Sequence, residues 1–136
     1  MALSKIPCDK STIADNNIDI TNNTTHNITS DILNEGTGTI KITNNGTISG
    51  STTNDELTNS IKNTGTGSIS LTNNSKIVSD ILNGAAGAIN ITNDGTLSGS
   101  IKNTGDKSTV SDYNIDITNN NELTGSIENN GQAVSL

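Results

Sequence analysis

The stretch ISLTNNSKIVSDILNGAAGA, residues 69–88, is the shortest copy of a unit that the chain repeats. It opens with the phrase I-x-[IL]-T-N-[ND], in which two apolar residues stand two positions apart. The phrase occurs five times, with its apolar pairs at Ile18 and Ile20, Ile40 and Ile42, Ile69 and Leu71, Ile89 and Ile91, and Ile115 and Ile117. Apolar residues at every second position predict a β-strand with one buried face.

A second phrase follows each copy, in its plainest form GTLSGSIKNTG at residues 95–105. Its two apolar residues stand four positions apart, and an Asn follows two positions after the second one. The other apolar pairs are Ile28 and Ile32, Leu57 and Ile61, Ile77 and Ile81, and Leu123 and Ile127. The units at 40–68 and 89–114 are longer than those at 18–39 and 69–88, and they carry polar insertions, as loops leaving a corner do.

Strand phrases separated by Asn and Gly corners predict an all-β fold, a right-handed parallel β-helix (β-solenoid) with about 20 residues per turn and about five turns. We expect residues 9–136 to form the solenoid and residues 1–8 to form a partial turn. In such a fold equivalent residues stack into ladders. The apolar pairs would fill the core, and a polar ladder would consist of Asn22, Asn44, Asn73, Asn93 and Asn119.

The amino-acid composition is consistent with a fold that is stabilised by the stacking of repeated units and not by a large hydrophobic core. The 136 residues include no Phe or Trp, one Tyr and only 29% hydrophobic residues. The net charge of -7, with scattered Lys residues, argues against nucleic acid or an anionic membrane as partner. No stretch approaches the roughly 20 apolar residues of a membrane span, and MALSKIPCDK lacks the apolar segment of a secretory signal.

The sequence indicates a protein that is not an enzyme. His26 is the only histidine, Tyr113 is the only aromatic residue, and neighbouring carboxylates such as Asp55 and Glu56 lie in an insertion. A catalytic site needs an acid, a base or a nucleophile brought together in a pocket, and these residues suggest none. We therefore predict no catalytic residue, no metal site and no cofactor.

The repeated phrases I-x-I-T-N-N and S-I-K-N-T-G resemble the passenger domains of bacterial autotransporter adhesins over about residues 9–136. The resemblance implies a parallel β-helix on the outside of a bacterial cell that acts in adhesion, in aggregation or as a stalk. It implies as partners a host or neighbouring-cell surface, or copies of the chain itself.

The two ends of the chain carry nearly the same phrase. DKSTIADNNIDITNN at residues 9–23 and DKSTVSDYNIDITNN at residues 106–120 match at twelve of fifteen positions. Aligned through this phrase, Leu3 and Ile6 fall near the places of Leu97 and Ile101, while Val134 and Leu136 fall at the places of Ile69 and Leu71.

These ends predict complementary partial turns, so that copies stack head to tail into a fibre. The predicted junction consists of Leu3, Ile6, Cys8, Val134, Ser135 and Leu136. Cys8 is the only cysteine, and in an oxidising compartment it could crosslink neighbours. The alternative is that the matching ends report a longer tandem array of which this chain is one stretch.

A minor alternative is an ice-binding solenoid. A regular outer row is expected from Thr21, Thr43, Thr72, Thr92 and Thr118. A flat array of paired Thr rows is not evident, because the neighbouring positions are Asn.

Overall fold

The protein is a β-solenoid of three parallel sheets, seen in a computed structural model that describes residues 17–50, 60–84, 87–104, 114–130 and 133–135. Strands are numbered in chain order. Sheet A contains β1 (Ile18–Asn22), β4 (Ile40–Asn44), β7 (Ile69–Asn73), β10 (Ile89–Asn93), β13 (Asn114–Asn119) and β16 (Ala133–Ser135). Sheet B contains β2 (Asn27–Ile28), β5 (Thr47–Ile48), β8 (Lys76–Ile77), β11 (Thr96–Leu97) and β14 (Glu122–Leu123). Sheet C contains β3 (Ile32–Asn34), β6 (Ser60–Asn63), β9 (Asp80–Asn83), β12 (Ile101–Asn103) and β15 (Ile127–Asn129).

The predicted all-β solenoid is confirmed, and its register follows the repeated phrases. Ile40 lies opposite both Ile18 and Ile69, and Ile89 lies opposite both Ile69 and Ile115. The solenoid has about four turns of roughly 24 residues, and not the predicted five turns of about 20 residues. The predicted turn length matches only the shortest turn, at 69–88, because the longer turns add residues outside the strands. The right-handed sense stays a prediction from the preference of parallel crossovers.

The core is a stack of aliphatic side chains from all three sheets. Along the strands of sheet A, buried residues alternate with outward-facing ones, as the period of two requires. All ten residues of the predicted apolar pairs in sheet A are between 0 and 9% exposed. Branched aliphatic side chains fill a narrow interior without aromatic residues, because each one packs on an equivalent side chain one turn away.

One position in the second turn differs from the sequence prediction. The repeat analysis gave Leu57 the place of the sheet B apolar residue, whereas the structure places Ile48 there, opposite Ile28 and Ile77. Ile48 is fully buried, and Leu57 lies outside the described residues. The extra residues of this long turn therefore follow sheet B instead of preceding it. Periodicity alone could not place them, because both Ile48 and Leu57 are apolar residues followed by polar ones.

Candidate assembly surfaces

The predicted Asn residues form a continuous column at the corner between sheets A and B. Nδ2 of Asn22 donates to Oδ1 of Asn44 at 2.8 Å, and Asn44 donates to Asn73 at 2.8 Å. Asn73 donates to Asn93 at 2.7 Å, and Asn93 donates to Asn119 at 2.8 Å. The first four side chains are buried, and each also donates to a backbone carbonyl in the corner of the next turn. We call this column the first Asn ladder.

A second Asn ladder closes the corner after sheet C. Asn34 donates to Asn63 at 3.2 Å, Asn63 to Asn83 at 2.8 Å and Asn83 to Asn103 at 3.2 Å. The repeat analysis noted an Asn in this place of every unit but did not predict a ladder. The signal was the same as for the first ladder, namely one Asn at a fixed distance from the buried residues of every unit.

The second ladder is interrupted near the C-terminal end. Nδ2 of Asn103 is buried and has no hydrogen-bond partner among the described residues, although equivalent groups of Asn34 and Asn83 donate to the carbonyls of Gly38 and Gly87. The corner that follows Asn103 belongs to a long turn, and residues 105–113 lie outside the described residues.

The first Asn ladder is polar along the solenoid axis. In each of the first four members Nδ2 donates to the Oδ1 atom of the next turn, so the amide oxygens face the N-terminal end. No described residue donates to Oδ1 of Asn22, while Nδ2 of Asn119 bonds to the carbonyl of Asn121 within its own corner at 2.8 Å. The N-terminal end therefore presents an acceptor, and the C-terminal end presents a donor that is satisfied only locally.

The two end faces of the described solenoid differ in how the core is covered. At the N-terminal end, a pocket is lined by Ile20, Asn22, His26 and Ile28, with their neighbours along the chain. At the C-terminal end, Leu123 and Ile127 are only partly buried, although their equivalents one turn earlier, Leu97 and Ile101, are almost completely buried. Among the described residues, the core is thus buried at the N-terminal end, beside a pocket, and incompletely covered at the C-terminal end.

The predicted junction residues lie partly outside the described residues. Nothing is described of Leu3, Ile6, Cys8 and Leu136. Val134 and Ser135 lie on β16, which pairs in parallel with β13 so that Val134 is opposite Ile115. Val134 therefore occupies the place in sheet A that the sequence suggested.

The outer Thr row is regular, but the surface around it is not. The five residues Thr21, Thr43, Thr72, Thr92 and Thr118 lie opposite one another in sheet A, at partly or fully exposed positions. The adjacent outward column consists of Asp19, Lys41, Ser70, Asn90 and Asp116. Charged and uncharged side chains of different length alternate there, so the face is not a uniform array.

Comparison with protein-family models, with curated proteins and with solved structures gives no match. Within the described ranges, no helix is long and apolar enough to span a membrane. In the same part of the chain, no three His, Cys, Asp or Glu side chains are close enough to hold a metal ion. The end faces and the ladders are therefore the features on which a functional proposal rests.

Proposed function

We propose that the protein is a non-enzymatic structural subunit that stacks head to tail with copies of itself into a fibre on the outside of a bacterial cell. The observation that carries the proposal is that each sheet ends in edge strands at both ends of the solenoid. Among the described residues, β1, β2 and β3 have neighbours on one side only, and so do β14, β15 and β16. A copy added at either end would continue the same parallel register.

Edge strands strongly favour the addition of a further strand from another molecule. Their unpaired N–H and C=O groups can hydrogen-bond to a further strand, and a soluble β-protein usually covers them or makes them charged. Contact between two different end faces does not close on itself, so its product is a linear polymer. A solenoid whose ends match in register therefore favours a fibre over a closed ring.

The chemistry of the ends favours head-to-tail contact. Two N-terminal ends would bring the Oδ1 acceptors of two Asn22 residues together without a donor. Two C-terminal ends would bring together the exposed carboxylates of Glu122 and Glu128, which lie on the edge strands of sheets B and C. Like charges on adjacent strands destabilise their pairing. Unlike ends avoid both conflicts.

The runner-up proposal is a stretch of an adhesin shaft, as the resemblance to autotransporter passengers implies. In that case the rod supports binding to a host or neighbouring cell and does not polymerise. Extracellular location in either case is supported by that resemblance. Fold by itself does not assign function, so the assembly state of the purified chain separates the two proposals.

Ice binding is a minor candidate that the exposed Thr row supports. A thermal-hysteresis measurement separates it from the fibre proposal. We expect no hysteresis, because the neighbouring column of charged and mixed side chains, including Lys41 and Asp116, interrupts the face. Stacking of equivalent residues also accounts for the Thr row without any ligand.

Electron microscopy of the purified chain over a concentration series tests the fibre proposal. We expect filaments of uniform width whose number rises with concentration. Replacement of Asp19 by Pro removes an N–H of β1 that faces away from β4, and it should abolish filaments while circular dichroism still reports β-structure. Asp19→Ala, which keeps the backbone N–H, should assemble normally. Discrete monomers of the wild-type chain at every concentration would support the adhesin shaft instead.

A further inference from the structure

Sheet B has an open edge at the C-terminal end of the solenoid. Sheet A contains six strands and sheet B five, so β16 extends one level beyond β14. Leu123 on β14 is only partly buried, whereas Ile77 and Leu97 in the same column are 0% exposed. Among the described residues, the level above β14 holds no strand.

The backbone at this edge also has an open acceptor. The carbonyl just before sheet B accepts an N–H from the following turn in three successive turns: His26 from Thr47, Gly46 from Lys76 and Ser75 from Thr96, at 2.7 to 3.2 Å. The carbonyl of Asn121 holds the same place before β14. It accepts the side-chain amide of Asn119, and among the described residues it has no backbone donor from a following turn. The edge therefore offers both an acceptor and an apolar contact to an added strand.

A segment near the N terminus has the sequence of such a strand. SKIPCD at residues 4–9 matches SKIVSD at residues 75–80 at four of six positions. Ile6 precedes Ile18 by the same distance along the chain as Ile77 precedes Ile89. Since Ile77 lies in sheet B, this spacing gives Ile6 a sheet B position in the turn before β1. The likeness ends at Lys10, which stands where Ile81 would be, so the argument concerns sheet B alone.

Charge complementarity indicates the same pairing. In this register Lys5 belongs to the outward column of sheet B, which contains Lys76, Thr96 and Glu122. Glu122 is exposed, and the described contact of its carboxylate is with Oγ1 of Thr96 at 3.4 Å. Lys102 and Glu128 show that a Lys and a Glu one turn apart in one column reach each other, with Nζ and Oε2 at 2.9 Å. A Lys added above Glu122 can make the same contact.

We propose that residues 4–7 of a second copy of this chain add to β14 as a parallel strand, with Ile6 over Leu123 and Lys5 over Glu122. The inference rests on the proposed head-to-tail fibre and gives the register of its joint. The added segment would bring an apolar side chain to the partly covered end of the core, the backbone N–H of Lys5 to the carbonyl of Asn121 and a cation to the carboxylate of Glu122. Pro7 follows Ile6 and has no N–H, so the carbonyl of Leu123 takes no part in this joint.

Disulfide trapping tests this register. With Cys8→Ser as background, Lys5→Cys and Glu122→Cys introduce one thiol on each side of the proposed joint. Directly opposed residues on neighbouring strands have Cα atoms about 4.8 Å apart, within the 4.4–6.8 Å that a disulfide needs. Under mild oxidation we expect covalent dimers and higher multimers on a non-reducing gel, and their loss with reductant.

Two further cysteine pairs test whether the crosslinking is specific to the proposed register. Lys5→Cys combined with Glu128→Cys places the second thiol on β15 in sheet C and should give few or no multimers. Ala2→Cys combined with Glu122→Cys tests the other alignment of the chain ends, in which Leu3 lies near the sheet B position. Efficient trapping through Ala2 but not through Lys5 would overturn the register proposed here.

Electron microscopy of the same samples distinguishes failure of the proposed register from failure of the fibre proposal. Filaments without a Lys5–Glu122 crosslink overturn the register but leave the fibre intact. The absence of both filaments and crosslinks, in the Cys8→Ser background as well as in the wild-type chain, overturns the fibre proposal and this inference with it. Filaments that become covalently linked only through the Lys5–Glu122 pair support both.

Discussion

At the scale of single residues, the hydrogen bonds of the buried Asn side chains stabilise the contact between successive turns, in a chain whose apolar core is small. Asn44 and Asn73 of the first ladder each donate to a carbonyl of their own corner and to a carbonyl of the next turn. A buried amide is costly unless its donors and acceptor are paired, and here the repeat supplies the partner automatically. The ladder therefore makes the corner geometry of one turn depend on that of its neighbours.

Asn73→Ala tests this role in the middle of the first Asn ladder. The change removes the donor to Asn93 and Thr96 and leaves Nδ2 of Asn44 without its amide acceptor. Since buried groups would lose their partners, we expect the free energy of unfolding to fall by about 3 kcal/mol. Urea denaturation followed by circular dichroism measures the loss.

The neighbouring residue is the matched control for this change. Asn74 is exposed, and its Nδ2 bonds to Oδ1 of Asn45 on the outside of the corner. Asn74→Ala should alter the unfolding free energy by less than about 0.5 kcal/mol. Equal losses in the two variants would mean that the buried ladder has no special role in stability.

At the scale of elements, the corners decide how closely successive turns can approach. Gly99 lies in the corner between β11 and β12, with its backbone packed against the preceding turn. A Cβ atom at this position would overlap the carbonyl oxygen of Ser79. Parallel strands in neighbouring turns must stay about 4.8 Å apart, so a side chain here competes directly with the ladder hydrogen bonds.

Gly99→Ala is expected to destabilise the solenoid by about 1–3 kcal/mol, because the clash is with backbone and cannot be relieved by a side-chain rotation. The control is Gly84→Ala, where the nearest atom to the new Cβ is the carbonyl oxygen of Asn63 at 3.6 Å. That variant should be neutral or gain up to about 1 kcal/mol, because Ala restricts the unfolded chain. Thermal unfolding of both variants measures the difference, and similar melting temperatures would refute the corner argument.

At the scale of the whole molecule, the solenoid behaves as a one-dimensional stack. Each turn contacts the turn before it and the turn after it, through parallel pairs in all three sheets. In such a stack the stability is close to a sum over turns and their interfaces. The same property explains why the long turn at 40–68 and the short turn at 69–88 coexist: extra residues leave at a corner, and the strands keep their register.

Deletion of residues 69–88 should give a shorter but folded solenoid. The deletion removes one complete unit, so that β4 can pair with β10 and β6 with β12 in the existing register. We expect the β-signal per residue in circular dichroism to be unchanged and the urea m-value to fall in proportion to the smaller buried surface. Deletion of residues 69–78 is the control, because it removes strands of sheets A and B but leaves β9. Normal folding of that half-unit deletion would argue against register as the basis of the fold.

The sequence alone determined the fold class and most of its register. A period of two within strands, repeated at intervals set by Asn and Gly corners, leaves few other ways to bury Ile and Leu without aromatic residues. The place of Ile48 against Leu57 and the polarity of both ladders were decided only by the tertiary structure. These features depend on which apolar residue is covered by the next turn and on which atom of each amide faces it. Stacking of turns sets both, and no pattern within one unit contains that information.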